Sequence, residues 1–322
     1  MNSTPTPTPA ERKLALGAWL AVCLIWGTTY MAIRVALETM PPLIMMGLRW
    51  TIAGGVLSLF LIARGERVFS KALWPRAVLL GFLMLLLGNA GVAVAELWVP
   101  SGLTAVIIAS TPFWMTGVEA LRRDGERITR SAALGFVLGF SGIVLLVWPQ
   151  LAGGGATGRG FLFGIISLQV AGFGWAVGSS YSKRHPPGEN VLSATALQML
   201  TGGVMMLAVG TLHGEWGAFS FGVRSTAAFA YLTSIGALGG FVAYTYALRH
   251  LPVSLVSLYA YINPVIAVAL GVVVLGEPFT ARMAFAAALV FGGVAVVRAQ
   301  AQTRLPLTNR TRNSTMAITS ST

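Results

Sequence analysis

Apolar positions along this chain fall in long runs, with polar residues confined to short intervals between them. Runs of about 20 residues, the length a helix needs to cross roughly 30 Å of hydrocarbon, begin near Leu14, Pro42, Pro75, Ser101, Ser131, Gly160, Asn190, Arg224, Pro252 and Thr280. They predict ten helices joined by short loops. The fifth and sixth are parted only by the Gly-rich "QLAGGGATGRG". The first run is too long for a signal-peptide core and lacks a small-residue cleavage site, so it reads as an uncleaved helix. The Thr-Pro start "MNSTPTPTPAERK" and the polar tail after Ala299 read as disordered.

Composition agrees with a lipid solvent. Hydrophobic residues make up 55% of the 322 and charged residues 10%, against about a quarter charged in soluble domains. Mean hydropathy is +0.75. The net charge of +12 raises nucleic acid as a partner, but no basic patch is interleaved with exposed aromatics. The basic residues instead alternate with the loops: 17 of the 22 fall on one side of the predicted spans, four on the other, and Arg49 within a span. By the positive-inside rule both termini are cytoplasmic and the number of spans is even. The single cysteine, Cys23, lies in an apolar run and excludes a disulfide framework.

The chain repeats itself. At an offset of 152, Pro100 falls on Pro252, Pro112 on Pro264 and Gly88 on Gly240. After one extra residue in the first copy, Gly125-Glu126 falls on Gly276-Glu277 and Gly142 on Gly293. At an offset of 149, Trp26 meets Trp175, Gly54 meets Gly203 and Arg49 meets Gln198. Five spans per copy is an odd number, so the second copy enters the membrane from the opposite face and the halves are inverted, a recurring transporter design with its site near the midplane. The division read from this is a disordered cytoplasmic N-terminus 1–13, a first repeat 14–150, a linker 151–159, a second repeat 160–298 and a disordered cytoplasmic tail 299–322.

Pro112 lies twelve residues into its run, about 17 Å deep at roughly 1.5 Å per residue, and Pro264 matches it in depth. Each removes a backbone donor and frees a carbonyl, which in lipid must be met by protein or water. Read alone, either proline is a packing kink. Read as a pair, they predict helix breaks beside a cavity or at a flex point.

The segments "CLIWGTTYMAIRVAL", "PPLIMMGLRWTIAGG", "GNAGVAVAELWVPSG" and "YINPVIAVALGVVVLGEPFT" resemble the EamA-type exporters of the drug/metabolite transporter superfamily, most closely their YedA-like branch. The resemblance runs from about Leu14 to Arg298. It implies an all-α membrane protein of ten transmembrane helices in two inverted five-helix repeats, both ends cytoplasmic, with a central pathway for small metabolites or drugs. It does not name the solute. The charges of "EALRRDGERIT" are denser than those of its partner "LGEPFT", and they read as topology.

Ionisable groups inside a membrane are functional hypotheses by default. Arg49 has three readings: it binds an anionic solute group, pairs with Glu96 or snorkels outward. Its counterpart Gln198 keeps polarity without charge. Glu96 ends the third run and its counterpart is Leu248, so architecture alone does not demand an acid there. Burial and a nearby arginine act oppositely on a carboxyl's proton affinity; such a group serves proton-coupled antiport, or else caps the following turn. Glu119, beside Arg122 and Arg123, reads as a surface ion pair. Asn89 and Asn263 are polar groups at depth, and Asn89 either hydrogen-bonds solute or bridges helices. Trp26, Trp114, Trp175, Tyr244, Tyr246, Tyr259 and Tyr261 are candidate cavity walls, the default for Trp and Tyr nearer span ends being interfacial anchoring. An aromatic pocket with few polar groups suits moderately hydrophobic or zwitterionic solutes.

Intramembrane catalysis needs a nucleophile with a base, or metal ligands at helical spacing. His185, His213 and His250 lie at loops or span ends, and HExxH and GxSxG do not occur, so the chain is read as neither an enzyme nor a holder of a metal or cofactor. A receptor reading lacks a signalling domain to speak through. GxxxxGK[ST] is absent, so an ATP-driven pump is set aside. What remains is a secondary active exporter of small organic solutes in a bacterial plasma membrane, working as proton antiporter, uniporter or exchanger. Its partners are the solute and membrane lipid, with the chain as monomer or homodimer.

Overall fold

A computed structural model describes residues 9–122, 128–152, 156–185, 187–188, 191–251, 253–256 and 258–303. Among these residues the regular structure is helical throughout. Lipid offers no hydrogen bonds, so each apolar run closes its backbone bonds within itself. Eight helices are long and apolar enough to cross a membrane: α1 (Ala10–Ala36), α2 (Pro42–Ala63), α3 (Trp74–Ala95), α4 (Ser101–Ala120), α5 (Arg130–Pro149), α6 (Gly158–Arg184), α7 (Val191–Leu212) and α8 (Val223–Tyr244). Two shorter apolar helices follow, α9 (Tyr259–Leu275) and α10 (Ala281–Val297).

Several boundaries differ from the reading of the chain. The first helix begins at Pro9, so residues 9–13 are helical and not disordered. Proline is at home in a first turn, and Glu11 there suits the positive helix end. Helix reaches Ala152 and resumes at Ala156, which shrinks the linker 151–159 to residues outside those described. The last helix continues to Thr303, into the expected disordered tail. Gly125-Glu126 and Pro252 lie outside the described residues.

Between membrane helices the driving force is close packing more than hydrophobicity. α2 runs along α7, and α5 along α10. A Cβ on Gly203 would lie 2.5 Å from the Thr51 nitrogen and 2.9 Å from the Gly47 oxygen, so only glycine permits that approach. α1 packs on α8 and α9, while α6 packs on α3 and α4. One apolar core gathers residues of α1, α2, α3, α7 and α8 around Met45, Met46 and Leu232. A second gathers α4, α5, α6 and α10 around Ile107, Leu146 and Val290.

Four interruptions shape the interior. In α3, Gly81–Ala90 winds as a π-helix, and in α8, Leu232–Gly239 does the same. α4 breaks at Ala109–Ser110, directly before Thr111-Pro112. Pro112 cannot donate to the Ile108 carbonyl, and the Thr111 hydroxyl donates there instead, at 2.6 Å. A short helical turn, Val253–Val256, precedes α9, and there the expected symmetry fails. Pro264 lies inside the continuous helix Tyr259–Leu275, so it is no helix break. The interruption comes before Tyr259, and Asn263, oriented so that its nitrogen donates, meets the Tyr259 carbonyl at 3.0 Å and Cys23 of α1 at 3.1 Å. That amide orientation follows from the hydrogen-bond network.

Two glutamates cap helices from a distance. Glu215 Oε2 accepts the Leu43 and Ile44 N–H groups, both at 2.9 Å, at the start of α2. Glu277 accepts from Ser101 at 2.7 Å and Gly102 at 3.1 Å, at the start of α4. Gly276, at φ 65°, supplies the left-handed turn that folds Glu277 back. Glu277→Ala leaves two backbone donors unmet and is expected to cost about 1–3 kcal/mol, read as a lower melting temperature in detergent. An unchanged transition would show that water serves those donors equally well.

Candidate functional site

The π-helical turn of α8 organises the site. The Trp26 indole N–H donates to the Gly236 carbonyl at 3.3 Å. The ring reaches that far because Gly240 has no side chain: a Cβ there would stand 2.4 Å from the indole nitrogen. Trp26 then meets Tyr244 at 5.2 Å and Tyr259 at 5.0 Å between ring centroids, and the two tyrosines meet at 5.8 Å. Three of the expected wall residues thus form one cluster where α1, α8 and α9 converge, and Asn263 ties α9 to α1 within it.

The other candidate tryptophans and Asn89 lie apart from this cluster. Trp175 stands over Gly88, 3.4 Å from the position of its absent Cβ, repeating the placement of Trp26 over Gly240. It remains 36% exposed. Asn89 donates to the Met84 carbonyl at 3.1 Å, inside the π-helical turn of α3, and so serves the backbone of its own helix. Trp114 donates to Gln169 Oε1 at 3.0 Å and packs edge-on against Phe140 and Phe173. Gln169 was not foreseen, because its role depends on α4 meeting α6.

Arg49 is 4% exposed. Its Nε donates to the Leu232 carbonyl at 3.1 Å, at the head of the π-helical turn. Its guanidinium carbon lies 4.8 Å from the Trp50 ring centroid. It does not snorkel, and it does not pair with Glu96. Ion pairs among the described residues include Arg184–Glu119 at 3.0 Å and Arg224–Glu38 at 3.3 Å. Glu119 is accordingly held by Arg184 and by the Ser180 hydroxyl at 2.5 Å, a tie between α4 and α6; Arg123, beside which it reads in the sequence as a surface ion pair, lies outside the described residues.

Glu96 follows the last turn of α3 and is fully buried. Neither carboxyl oxygen has a hydrogen-bond partner. Arg34 Nη1 donates to the Glu96 backbone carbonyl, not to its side chain. Among the described residues, Tyr30 and Arg34 of α1 and the carboxyl group of Glu277 interact with it electrostatically. Ser101 and Thr104, on one face of α4, also bury hydroxyls without partners. A pocket beside them, between α4, α9 and α10, is lined by Pro100, Leu103, Val268, Glu277, Phe279 and Met283. Glu277 was missed as a site residue although its Gly-Glu pair stood out: nothing local to it reveals a partner 176 residues away.

The EamA-like transporter family matches residues 13–148 and again 162–299. An inner membrane transporter of Escherichia coli, YedA, named as uncharacterised, is 35% identical over 264 residues, 81% of this chain and 83% of that one. A probable amino-acid metabolite efflux pump of Salmonella typhimurium is 24% identical over 286 residues, 85% of this chain and 91% of its own. One solved structure superimposes with a TM-score of 0.61 at 22% identity, over 91% of this chain and 99% of the other, a likeness of fold.

Proposed function

The chain belongs to the EamA-like transporter family, and from that premise we propose that it is a proton-coupled exporter of small organic solutes, working by alternating access. The solutes are amino-acid-like or moderately hydrophobic. The protein is a multi-pass membrane protein; its proposed setting is a bacterial inner membrane, with both termini cytoplasmic, as the Lys/Arg bias supports.

Ten spans in two inverted halves are part of this reading. Three correspondences support them. The long close contacts α2–α7 and α5–α10 join the second and fifth runs of one copy to those of the other. The π-helical turns fall in the third run of each copy. The two tryptophans sit on equivalent glycines. A fold that presents the same packing twice in opposite orientation has two equivalent ways of closing around a central solute.

The observation that carries the coupling is Glu96, buried with both oxygens unpartnered. A bare carboxylate in such a place costs several kcal/mol even after relaxation, whereas a protonated carboxyl is neutral. The closed conformation therefore holds Glu96 with its proton, and exposure to the more alkaline side releases it. A chain that moves solute only when that exchange completes turns proton entry into solute exit.

The test is flux from proteoliposomes carrying the full chain, loaded in turn with amino acids, nucleosides, sugars and lipophilic cations, with and without a pH gradient. Acceleration of one class by a gradient acidic outside the compartment that holds the solute supports the proposal. Flux indifferent to the gradient would replace antiport with facilitated diffusion or exchange.

A further inference from the structure

The Arg49 guanidinium is only partly engaged by its bond to Leu232 and its contact with the Trp50 ring. Of its five N–H donors, Nε is met by the Leu232 carbonyl, and Nη1 has only the Met46 sulfur at 3.7 Å, a weak acceptor. Nη2 has no hydrogen-bond acceptor among the described residues, and Arg49 has no carboxylate within ion-pair distance. Nη2 lies 3.4 Å from the position a Cβ would occupy on Gly236, as does the Thr29 methyl, so the two pack together on the flank of the π-helical turn. The carbonyl of that same Gly236 accepts the Trp26 indole N–H. One residue of α8 thus joins a half-satisfied buried cation to the Trp26–Tyr244–Tyr259 cluster.

We infer that Arg49 is the receptor for a solute carboxylate, and that the transported class is zwitterionic: the carboxylate at Nη1 and Nη2, the ammonium on the aromatic faces of Trp26, Tyr244 and Tyr259. This rests on the transport reading and narrows it. A guanidinium matches a carboxylate with two parallel donors, and aromatic faces attract an ammonium. A single buried cation balances one negative charge, which disfavours phosphorylated solutes; Arg34 is engaged at the Glu96 carbonyl. A cationic solute without a carboxylate would be repelled. In the other half the equivalent residue is Gln198, whose amide reaches only the Met84 sulfur, at 3.9 Å. The two halves therefore differ in charge at this position, and the solute has one carboxylate end to offer.

The competing role is structural, Arg49 as a clamp between α2 and α8 through the Leu232 carbonyl. The experiment that separates the two measures flux of the proteinogenic amino acids in proteoliposomes of the full chain. Each one that moves is then compared with its amide, which keeps the ammonium and side chain but loses the carboxylate. The wild type is expected to prefer acid over amide by about 100-fold, since a site built to hydrogen-bond a group rejects the analogue lacking it. In Arg49→Gln the ratio falls to near one, and Arg49→Lys recovers part of it. A structural clamp would lower both fluxes together and leave the ratio unmoved. Equal flux of acid and amide through the wild type overturns the inference while leaving transport intact, and this needs no variant to fold. Flux of other solute classes with none of any amino acid overturns the inference alone, and no flux of any solute overturns the transport reading as well.

Discussion

Glu96→Gln is expected to keep solute-for-solute exchange near the wild-type rate and to lose at least nine-tenths of the acceleration that a pH gradient gives. Glutamine matches the shape and neutrality of a protonated carboxyl, so the buried, unpartnered environment accepts it without a new charge. What it cannot do is give the proton up. Exchange needs the carrier only to reorient with solute on both sides, whereas gradient-driven flux needs a proton taken on one side and released on the other. The sign is specific. Acid on the side opposite the solute accelerates wild-type export, because it loads Glu96 where solute leaves; acid on the solute side does not. Glu119→Gln serves as the control, since Glu119 is paired with Arg184 and the Ser180 hydroxyl at the other end of α4. Its ratio of flux with and without a gradient should match the wild type. A Glu96→Gln protein that kept full gradient-driven flux would remove Glu96 from the coupling.

Much of the architecture was legible because lipid imposes one rule on every span. The apolar runs locate the starts of α2 and α4 at Pro42 and Ser101 and most others within a residue or two. The first helix was misjudged by five residues, since charge marks the edge of the membrane and not the end of a helix. Ala-Glu-Arg-Lys is helix-compatible and simply leaves the lipid. The π-helical turns had no signature in the pattern. The turn in α8 is held by groups remote in sequence, Arg49 on Leu232 and Trp26 on Gly236, and the turn in α3 carries a polar bond within itself, Asn89 on Met84, so hydrophobic periodicity could not report either. Pro112 and Pro264 read alike as residues yet differ in the fold. The first follows a break whose exposed carbonyl is met by Thr111, and the second continues a helix.

The candidate site was legible in the same uneven way. Aromatic character within the spans picked out Trp26, Tyr244 and Tyr259, and they do meet. The same reading picked out Trp114 and Trp175, which lie elsewhere, one bonded to Gln169 of α6 and the other over Gly88. A repeat in sequence makes equivalent backbones, and unequal side chains then make unequal surroundings. Arg49 against Gln198 is the clearest case.

Two adjacent glycines of α10 give the largest expected contrast in stability. A Cβ on Gly293 would lie 2.4 Å from the Gly135 oxygen, 2.7 Å from the Gly139 nitrogen and 3.0 Å from the Gly139 Cα. All three are backbone atoms of α5, so no side chain can turn aside, and the helices must separate. A Cβ on Gly292 would meet nothing within 4 Å. Gly293→Ala is therefore expected to cost about 3 kcal/mol or more, at or beyond the upper end for overpacking because the obstacle is backbone. Gly292→Ala should be neutral or stabilising by up to about 1 kcal/mol, through reduced backbone entropy in the unfolded chain. Thermal unfolding of the two variants in one detergent checks the pair. Equal losses would mean that the α5–α10 approach is looser than 2.4 Å implies. The expected split would show that close backbone contact holds this helix pair.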